Sequence, residues 1–203
     1  MSDTPISASS TAPERPCLAL LVYPGFSEFE VTVALNILAP KYRVVSVGLT
    51  LEPVTGEAGL RVLPDQAIQN VLADSFTAML IPGAVDLVFL SNVPALDTFL
   101  QAMHAQGKVL GAICGGVFAF AQAGLLRDIP YTVTFNAEQR AFLQVFPEVG
   151  FEYRDVVRSG SIITAQGHAF VEFGLVMAEA LGAIHNLEEA QTFYRGLGNP
   201  SME

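Results

Sequence analysis

Residues 108–123, KVLGAICGGVFAFAQA, change their hydrophobic pattern at a cysteine, and few folds accommodate such a change. Val109–Ile113 is a short apolar run of the kind that forms a buried strand, whereas the apolar residues after position 116 recur at helical spacing. Cys114, Gly115 and Gly116 separate the two patterns. The sequence therefore predicts a tight turn from a strand into a helix, with a cysteine at its start.

A cysteine on such a turn lies beyond the end of the sheet, often in strained backbone geometry, beside the unpaired N–H groups of the new helix. Because these groups and the helix dipole favour negative charge, we expect Cys114 to ionise more readily than a free thiol and to act as a nucleophile. A buried structural cysteine is the main alternative. Gly115 and Gly116 favour the nucleophile, since paired glycines destabilise a helix unless backbone freedom or a close approach is needed.

A membrane span is a further alternative, because residues 109–126 carry no charge. The change of pattern at Cys114 and the polar Gln122 argue against it. The apolar fraction of 51% is better explained by a parallel sheet that helices cover on both faces, because its strands read as continuous apolar runs. We therefore interpret this stretch as a buried strand followed by a buried helix.

The charge and cysteine content limit the partners and the compartment. The 20 acidic residues outnumber the 10 basic ones and give a formal charge of −10, which disfavours nucleic acid and anionic membranes as partners. Cys17 and Cys114 are too few for a disulfide framework or a zinc site, so we expect a cytoplasmic protein, with Cys17 in the core. Residues 1–15 are polar and predict a flexible tail, and residues 16–203 predict a single domain.

Strand and helix patterns alternate along that domain. Strands are predicted at residues 17–23, 42–49, 76–81, 109–113 and 131–134, with a pair of short strands within 154–165. Helices are predicted at residues 27–38, 65–72, 95–106, 117–124, 137–146, 170–181 and 187–194, and residues 50–63 predict a loop with a short edge strand. This alternation predicts an α/β fold with a mostly parallel sheet and helices on both faces.

Three turns that directly follow predicted strands are candidates to form a ligand site. They are Pro24-Gly25, Pro82-Gly83 and the turn at Cys114. In a sheet of this type, ligands bind outside the carboxyl ends of the strands. If the three strands are neighbours, a thiol, backbone N–H groups and a carboxylate from the first helix converge there.

Four separated segments resemble the ThiJ/PfpI superfamily, and they occur in the order expected for it. They are YPGFSEFE at 23–30, LIPGA at 80–84, GAICGGVFAFAQAGLL at 111–126 and IITAQGHAFVEFGLVMAEALG at 162–182. The superfamily is class I glutamine amidotransferase-like and includes the Parkinsonism-associated protein deglycase, bacterial isonitrile hydratases and PfpI-type proteases. The resemblance implies a flavodoxin-like three-layer sandwich with a cysteine nucleophile elbow, and a homodimer.

The resemblance also implies roles for individual residues. Cys114 matches the elbow cysteine, Glu30 the acidic residue that meets it, and the N–H groups of Ala84 and Gly115 the oxyanion hole. A carboxyl beside a thiolate should have a raised pKa and act as a general acid. The alternative for Glu30 is a capping box with Ser27, in which the glutamate turns back to the start of the helix.

The sequence departs from the superfamily at its histidine. Members of the deglycase and protease types carry a histidine near the cysteine, where this chain has Gly115 or Phe135. Without a Cys–His pair, peptidase and amidotransferase chemistry lack their base. His168 lies in a loop that is close to the pocket in relatives, although it also suits a helix start or a dimer contact. We expect His168, Gly83 and Phe135 next to the catalytic residues.

Three functions remain open for this pocket. The first is a cysteine-dependent hydrolase, hydratase or lyase in which Cys114 attacks a small electrophile, an isonitrile or a reactive aldehyde, and Glu30 handles the proton. This chemistry requires no organic cofactor and no metal. The second is a stress-response or redox-sensing protein in which Cys114 is oxidised. The third is a non-catalytic binding protein that keeps the fold.

Overall fold

The structure is a computed structural model that describes residues 15–196. Its strands are β1 (Cys17–Val22), β2 (Arg43–Gly48), β3 (Val54–Thr55), β4 (Arg61–Val62), β5 (Gln66–Ala67), β6 (Ala78–Ile81), β7 (Val109–Ile113), β8 (Val156–Ser159) and β9 (Ile162–Ala165). Its helices are α1 (Phe29–Leu38), α2 (Pro94–Ala105), α3 (Val117–Gln122), α4 (Ala137–Leu143), α5 (Phe170–Ala180) and α6 (Leu187–Arg195). The predicted tail lies outside the described residues except for Arg15, which donates a hydrogen bond to the Ala39 carbonyl.

The main sheet has the strand order β5-β2-β1-β6-β7-β9-β8, and a separate hairpin joins β3 and β4. All neighbours in the main sheet are parallel except β8 and β9, which are antiparallel. From β1 the chain passes to β2 on one side and later to β6 on the other, so the strand order reverses beside β1. Because β1, β6 and β7 are neighbours, their carboxyl ends meet at this reversal, as the sequence predicts.

Helices cover both faces of the sheet and explain the apolar strands. The central strands β1, β6 and β7 are buried along almost their whole length. Helices α1 and α5 pack together, as do α2 and α3, and both pairs meet at β7. Gly111 of β7 faces Met177 and Phe173 of α5, and a β-carbon there would displace the end of the Met177 side chain. The predicted flavodoxin-like α/β sandwich is confirmed, and none of the helices among residues 15–196 could span a membrane.

Two predicted elements differ in the structure. Residues 131–134 form no strand, because β9 is already paired with β7 and β8 and offers no free edge. Tyr131 instead makes a single bridge with Phe151, and the Thr132 N–H donates to the Thr164 hydroxyl at 2.9 Å. The helix predicted at 65–72 is the short strand β5 and a 3-10 turn, because this segment pairs with the open edge of β2.

Candidate active site

The turn after β7 holds Cys114 in strained backbone geometry. Its φ angle is +55°, in the left-handed region that non-glycine residues seldom adopt. A 3-10 turn follows at Cys114–Gly116 and runs into α3. A β-carbon at Gly115 would stand 2.8 Å from the Ala84 carbonyl oxygen, and one at Gly116 would stand 2.4 Å from the Pro82 carbonyl oxygen. The glycines therefore let the elbow approach the turn after β6.

Glu30 projects from the first turn of α1 toward this elbow and is only 2% exposed. Its Oε2 accepts a hydrogen bond of 2.6 Å from the Gly83 N–H, and its carboxyl lies beside the Cys114 side chain. The capping-box alternative is wrong, because the Ser27 hydroxyl donates to the Glu57 carboxylate and no side chain caps α1. The structure thus brings Cys114 and Glu30 together, as the resemblance implied.

Two glycines enclose the thiol and the carboxyl. A β-carbon at Gly83 would lie 2.7 Å from the Cys114 Cβ and 2.8 Å from the Glu30 Oε2. One at Gly167 would lie 2.9 Å from the Cys114 Sγ and 3.1 Å from the Glu30 Oε1. Main chain from two loops therefore covers the pair, and neither position has room for a side chain. Gly83 stands where the sequence predicts it, whereas the sequence did not predict Gly167 as part of the site.

Burial controls the protonation of the pair. It raises the pKa of Glu30 to about 7, although hydrogen bonds from Cys114 and Gly83 oppose the increase. Burial and the nearby Glu30 charge raise the pKa of the Cys114 thiol to about 12. The raised carboxyl pKa is confirmed, but the expectation that Cys114 ionises readily is wrong. Desolvation and a neighbouring carboxylate outweigh the N–H groups and the dipole of the turn.

Thr134 is a member of the site that the sequence analysis missed. Its hydroxyl is hydrogen-bonded to the Cys114 sulfur and lowers the thiol pKa, without outweighing burial. The same oxygen accepts a hydrogen bond of 2.9 Å from the Gly167 N–H, so its own proton is free to point at the sulfur. The buried Gln166 amide donates to the Thr132 hydroxyl at 2.7 Å and to the Val133 carbonyl. These hydrogen bonds fix the segment that carries Thr134.

His168 and Phe135 point to other partners. The His168 Nε2 lies 3.1 Å from an Asp155 oxygen, and both side chains are 65% exposed. The His168 ring is therefore placed on Asp155. The Phe135 ring meets Phe146 edge to face, with 5.8 Å between ring centroids. It stands next to Thr134 in the chain, so it borders the site.

The main-chain donors predicted as an oxyanion hole lie beside the elbow. The Gly115 N–H is hydrogen-bonded to the Cys114 sulfur. The Ala84 nitrogen stands 3.3 Å from the point that a β-carbon at Gly115 would occupy. Across residues 15–196, no group of three or more His, Cys, Asp and Glu side chains is placed to hold a metal ion. The other cysteine, Cys17, is half-buried at the start of β1, where its sulfur accepts a hydrogen bond from Arg43.

Comparisons with known proteins identify the fold and the family. A DJ-1 superfamily structure from Agrobacterium tumefaciens has a TM-score of 0.78 at 22% identity, and the match covers 89% of this chain and 98% of that one. Glutathione-independent glyoxalase DJR-1.2 of Caenorhabditis elegans is 29% identical over 174 residues, covering 84% of this chain and 90% of the relative. HTH-type transcriptional regulator GbdR of Pseudomonas aeruginosa is 33% identical over 113 residues, covering 56% of this chain and 30% of the regulator. The model of the DJ-1/PfpI family matches residues 17–180, and the chain therefore belongs to this family.

Proposed function

We propose that the protein is a cysteine-dependent enzyme in which Cys114 adds to the carbon of a small electrophile and Glu30 carries the proton. The observation that supports this most directly is the close approach of the buried Glu30 carboxyl to the half-buried Cys114 side chain at a strained elbow. Strained, buried pairs of titratable groups are typical of catalytic sites. A purely structural cysteine would need neither the left-handed backbone nor a buried acid beside it.

The raised thiol pKa changes the mechanism that we expected from the sequence. Above a pH of about 7, Glu30 is ionised and Cys114 is still a neutral thiol. Glu30 therefore first acts as a general base and accepts the sulfur proton while the S–C bond forms. With an aldehyde, the C=O π electrons move to oxygen, and Glu30 then returns the proton to that oxygen. This step leaves a hemithioacetal on Cys114, and Glu30 is again a carboxylate. For a 2-oxoaldehyde, isomerisation through an enediol, with Glu30 moving the proton from C1 to C2, gives a thioester, and water then releases a 2-hydroxy acid and the Cys114 thiol.

The donors beside the elbow fit the developing charge. The N–H groups of Ala84 and Gly115 would stabilise the oxygen that becomes negative, and the Thr134 hydroxyl would stabilise the sulfur as it loses its proton. With an isonitrile, the sulfur adds to the terminal carbon, and Glu30 protonates the same carbon to leave a thioimidate. Addition of water and release of the thiol would complete the hydration to a formamide.

Reactive aldehydes are the first substrates to test, because the worm relative is named a glutathione-independent glyoxalase. The purified protein is incubated with methylglyoxal and with a simple isonitrile, and loss of substrate is followed together with the intact mass. Cys114→Ser and Glu30→Gln should each abolish turnover. Cys17→Ser is the matched control because it removes the other thiol, and it should retain activity. Turnover that survives Cys114→Ser would refute the proposal.

A non-catalytic binding role is the second candidate function. The relative that favours it is the transcriptional regulator, of which only 30% aligns with this chain. A binding protein would leave both substrates unchanged and show no covalent mass on Cys114. Redox sensing is less well supported, because a thiol with a raised pKa has little thiolate to react with peroxide.

A further inference from the structure

An apolar groove runs beside the candidate active site, between the loop after β6 and helix α4. We propose that this groove binds a neutral apolar substituent of the substrate, aromatic or branched aliphatic, while the electrophilic carbon of the same molecule meets Cys114. The inference rests on the proposed function and specifies its substrate class. The groove is lined by Val85, Leu87, Phe135, Glu138, Gln139, Phe142 and Leu143.

The groove adjoins the elbow at three points. Leu87 lines it, and the Leu87 Cδ2 is 3.1 Å from the position of a β-carbon at Gly115. Val85 directly follows Ala84, whose N–H is a proposed oxyanion donor, and Phe135 directly follows Thr134, which contacts the sulfur. The groove therefore adjoins the elbow, and the substituent of a ligand whose reactive carbon lies at Cys114 would be directed toward it.

Two apolar side chains of the groove are highly accessible to water, whereas Leu87, Phe135 and Leu143 are half-buried. Val85 and Phe142 are each 85% exposed, on opposite walls. Exposed apolar residues that cluster beside a site are typical of ligand surfaces. Helix α4 buries none of its own residues, so Phe142 has no structural role in the core.

Helix α4 is nevertheless fixed in place by polar contacts. A capping box between Asn136 and Gln139 closes its start. Arg140 donates a hydrogen bond of 2.6 Å to the Phe135 carbonyl and lies 3.5 Å above the centre of the Phe151 ring. The wall that carries Phe142 is thus held by its polar residues, which leaves its apolar residues available to a ligand.

The size and charge of the groove define what it can accept. Its volume of about 390 Å³ falls within the range of roughly 300–1,000 Å³ that is usual for small-molecule sites. Glu138 is the charged residue of its lining, and Asp86 is exposed next to Val85. Two carboxylates beside an apolar surface repel anionic groups. The occupant is therefore a neutral apolar group, not a carboxylate or a phosphate.

Two thiol probes test this without requiring turnover. Iodoacetamide and N-benzyl iodoacetamide alkylate Cys114 by the same displacement of iodide, and they differ in the apolar group. Rates are measured by intact mass in a Cys17→Ser background and are divided by the rates with free glutathione. We expect the corrected ratio of the benzyl rate to the unsubstituted rate to be about five, because the groove removes apolar surface of the benzyl group from water.

Matched variants assign the preference to the groove. Phe142→Ser should lower the corrected ratio on the order of fivefold, and Val85→Ser should lower it too. Phe193→Ser and Val149→Ser replace residues that are 76% and 82% exposed elsewhere, and they should leave the ratio unchanged. All four positions are exposed, so folding should be preserved.

Each outcome decides the proposal. A corrected ratio near one, or one that Phe142→Ser does not change, overturns it. A dimer that dissociates in Phe142→Ser, seen by sedimentation, together with an unchanged ratio, would mean that a second copy covers the groove and would also overturn it. Benzyl preference without turnover of any aldehyde or isonitrile would refute the proposed function and support the groove. Turnover of methylglyoxal without benzyl preference would support the proposed function and refute the role of the groove.

Discussion

The buried Glu30 carboxyl should make the stability of the protein depend on pH in a specific way. Its pKa rises from 4.5 to about 7 in the folded protein, mainly because of burial. Since the folded state holds this proton more tightly than the unfolded state, the stabilisation is fully present below pH 4.5 and is lost as pH rises through 7. The change in pKa corresponds to about 3 kcal/mol in the free energy of unfolding.

Glu30→Gln removes this titration and keeps the size of the side chain and an oxygen for the Gly83 N–H. Urea unfolding of wild type and variant at pH 4.5 and at pH 8.5 gives four free energies of unfolding. Relative to Glu30→Gln, the wild type should lose about 3 kcal/mol in free energy of unfolding between pH 4.5 and pH 8.5. Comparing the two proteins cancels the groups that they share.

Glu28, the residue directly before helix α1, provides a control of opposite sign. Slight burial raises its pKa, but hydrogen bonds from the N–H groups of Ala58 and Leu60 outweigh this and lower it. The free energy of unfolding of wild type, compared with that of Glu28→Gln, should therefore increase as pH rises from acid values. If the Glu30→Gln difference is the same at both pH values, Glu30 has an ordinary pKa and the reasoning on burial is refuted.

Three further substitutions test the surroundings of the pair. Thr134→Val removes the hydroxyl that contacts the Cys114 sulfur and should slow alkylation of Cys114 by about fivefold, whereas Thr134→Ser keeps the hydroxyl and should retain the wild-type rate. Equal rates in wild type and both variants would count against this contact. Gly83→Ala places a β-carbon 2.7 Å from the Cys114 Cβ and should lower the free energy of unfolding by about 1–3 kcal/mol, measured by urea titration; unchanged stability would contradict the close packing. His168→Ala breaks an exposed ion pair and should leave turnover within about twofold, so a large loss of activity would return the histidine to the mechanism.

The fold and the catalytic pair were accessible from the sequence because each leaves a local pattern. The change of periodicity at Cys114 predicted the elbow, and apolar strands between helices predicted the parallel sheet. Glu30 was identified through the resemblance, since its local pattern with Ser27 equally suits a capping box. In the structure the Ser27 hydroxyl donates a hydrogen bond to the Glu57 carboxylate, so the capping box with Glu30 does not form.

What the sequence did not predict depends on packing between distant segments. Thr134 belongs to the site because Gln166 and Gly167 anchor its segment across more than 30 positions of the chain. The thiol pKa was predicted in the wrong direction, since the turn is visible in the sequence whereas the burial of Cys114 beside a carboxylate is not. Local chemistry suggested a thiolate, and tertiary packing keeps the proton on sulfur.

The central claim is that Glu30 removes the proton of Cys114 when the sulfur attacks. The most direct test is the rate of Cys114 alkylation by iodoacetamide between pH 5 and pH 9, in a Cys17→Ser background, with and without Glu30→Gln. We predict that the rate with Glu30 rises through a step centred at a pH of about 7, the pKa of the carboxyl, and that Glu30→Gln abolishes the step. Profiles that superimpose would contradict the claim.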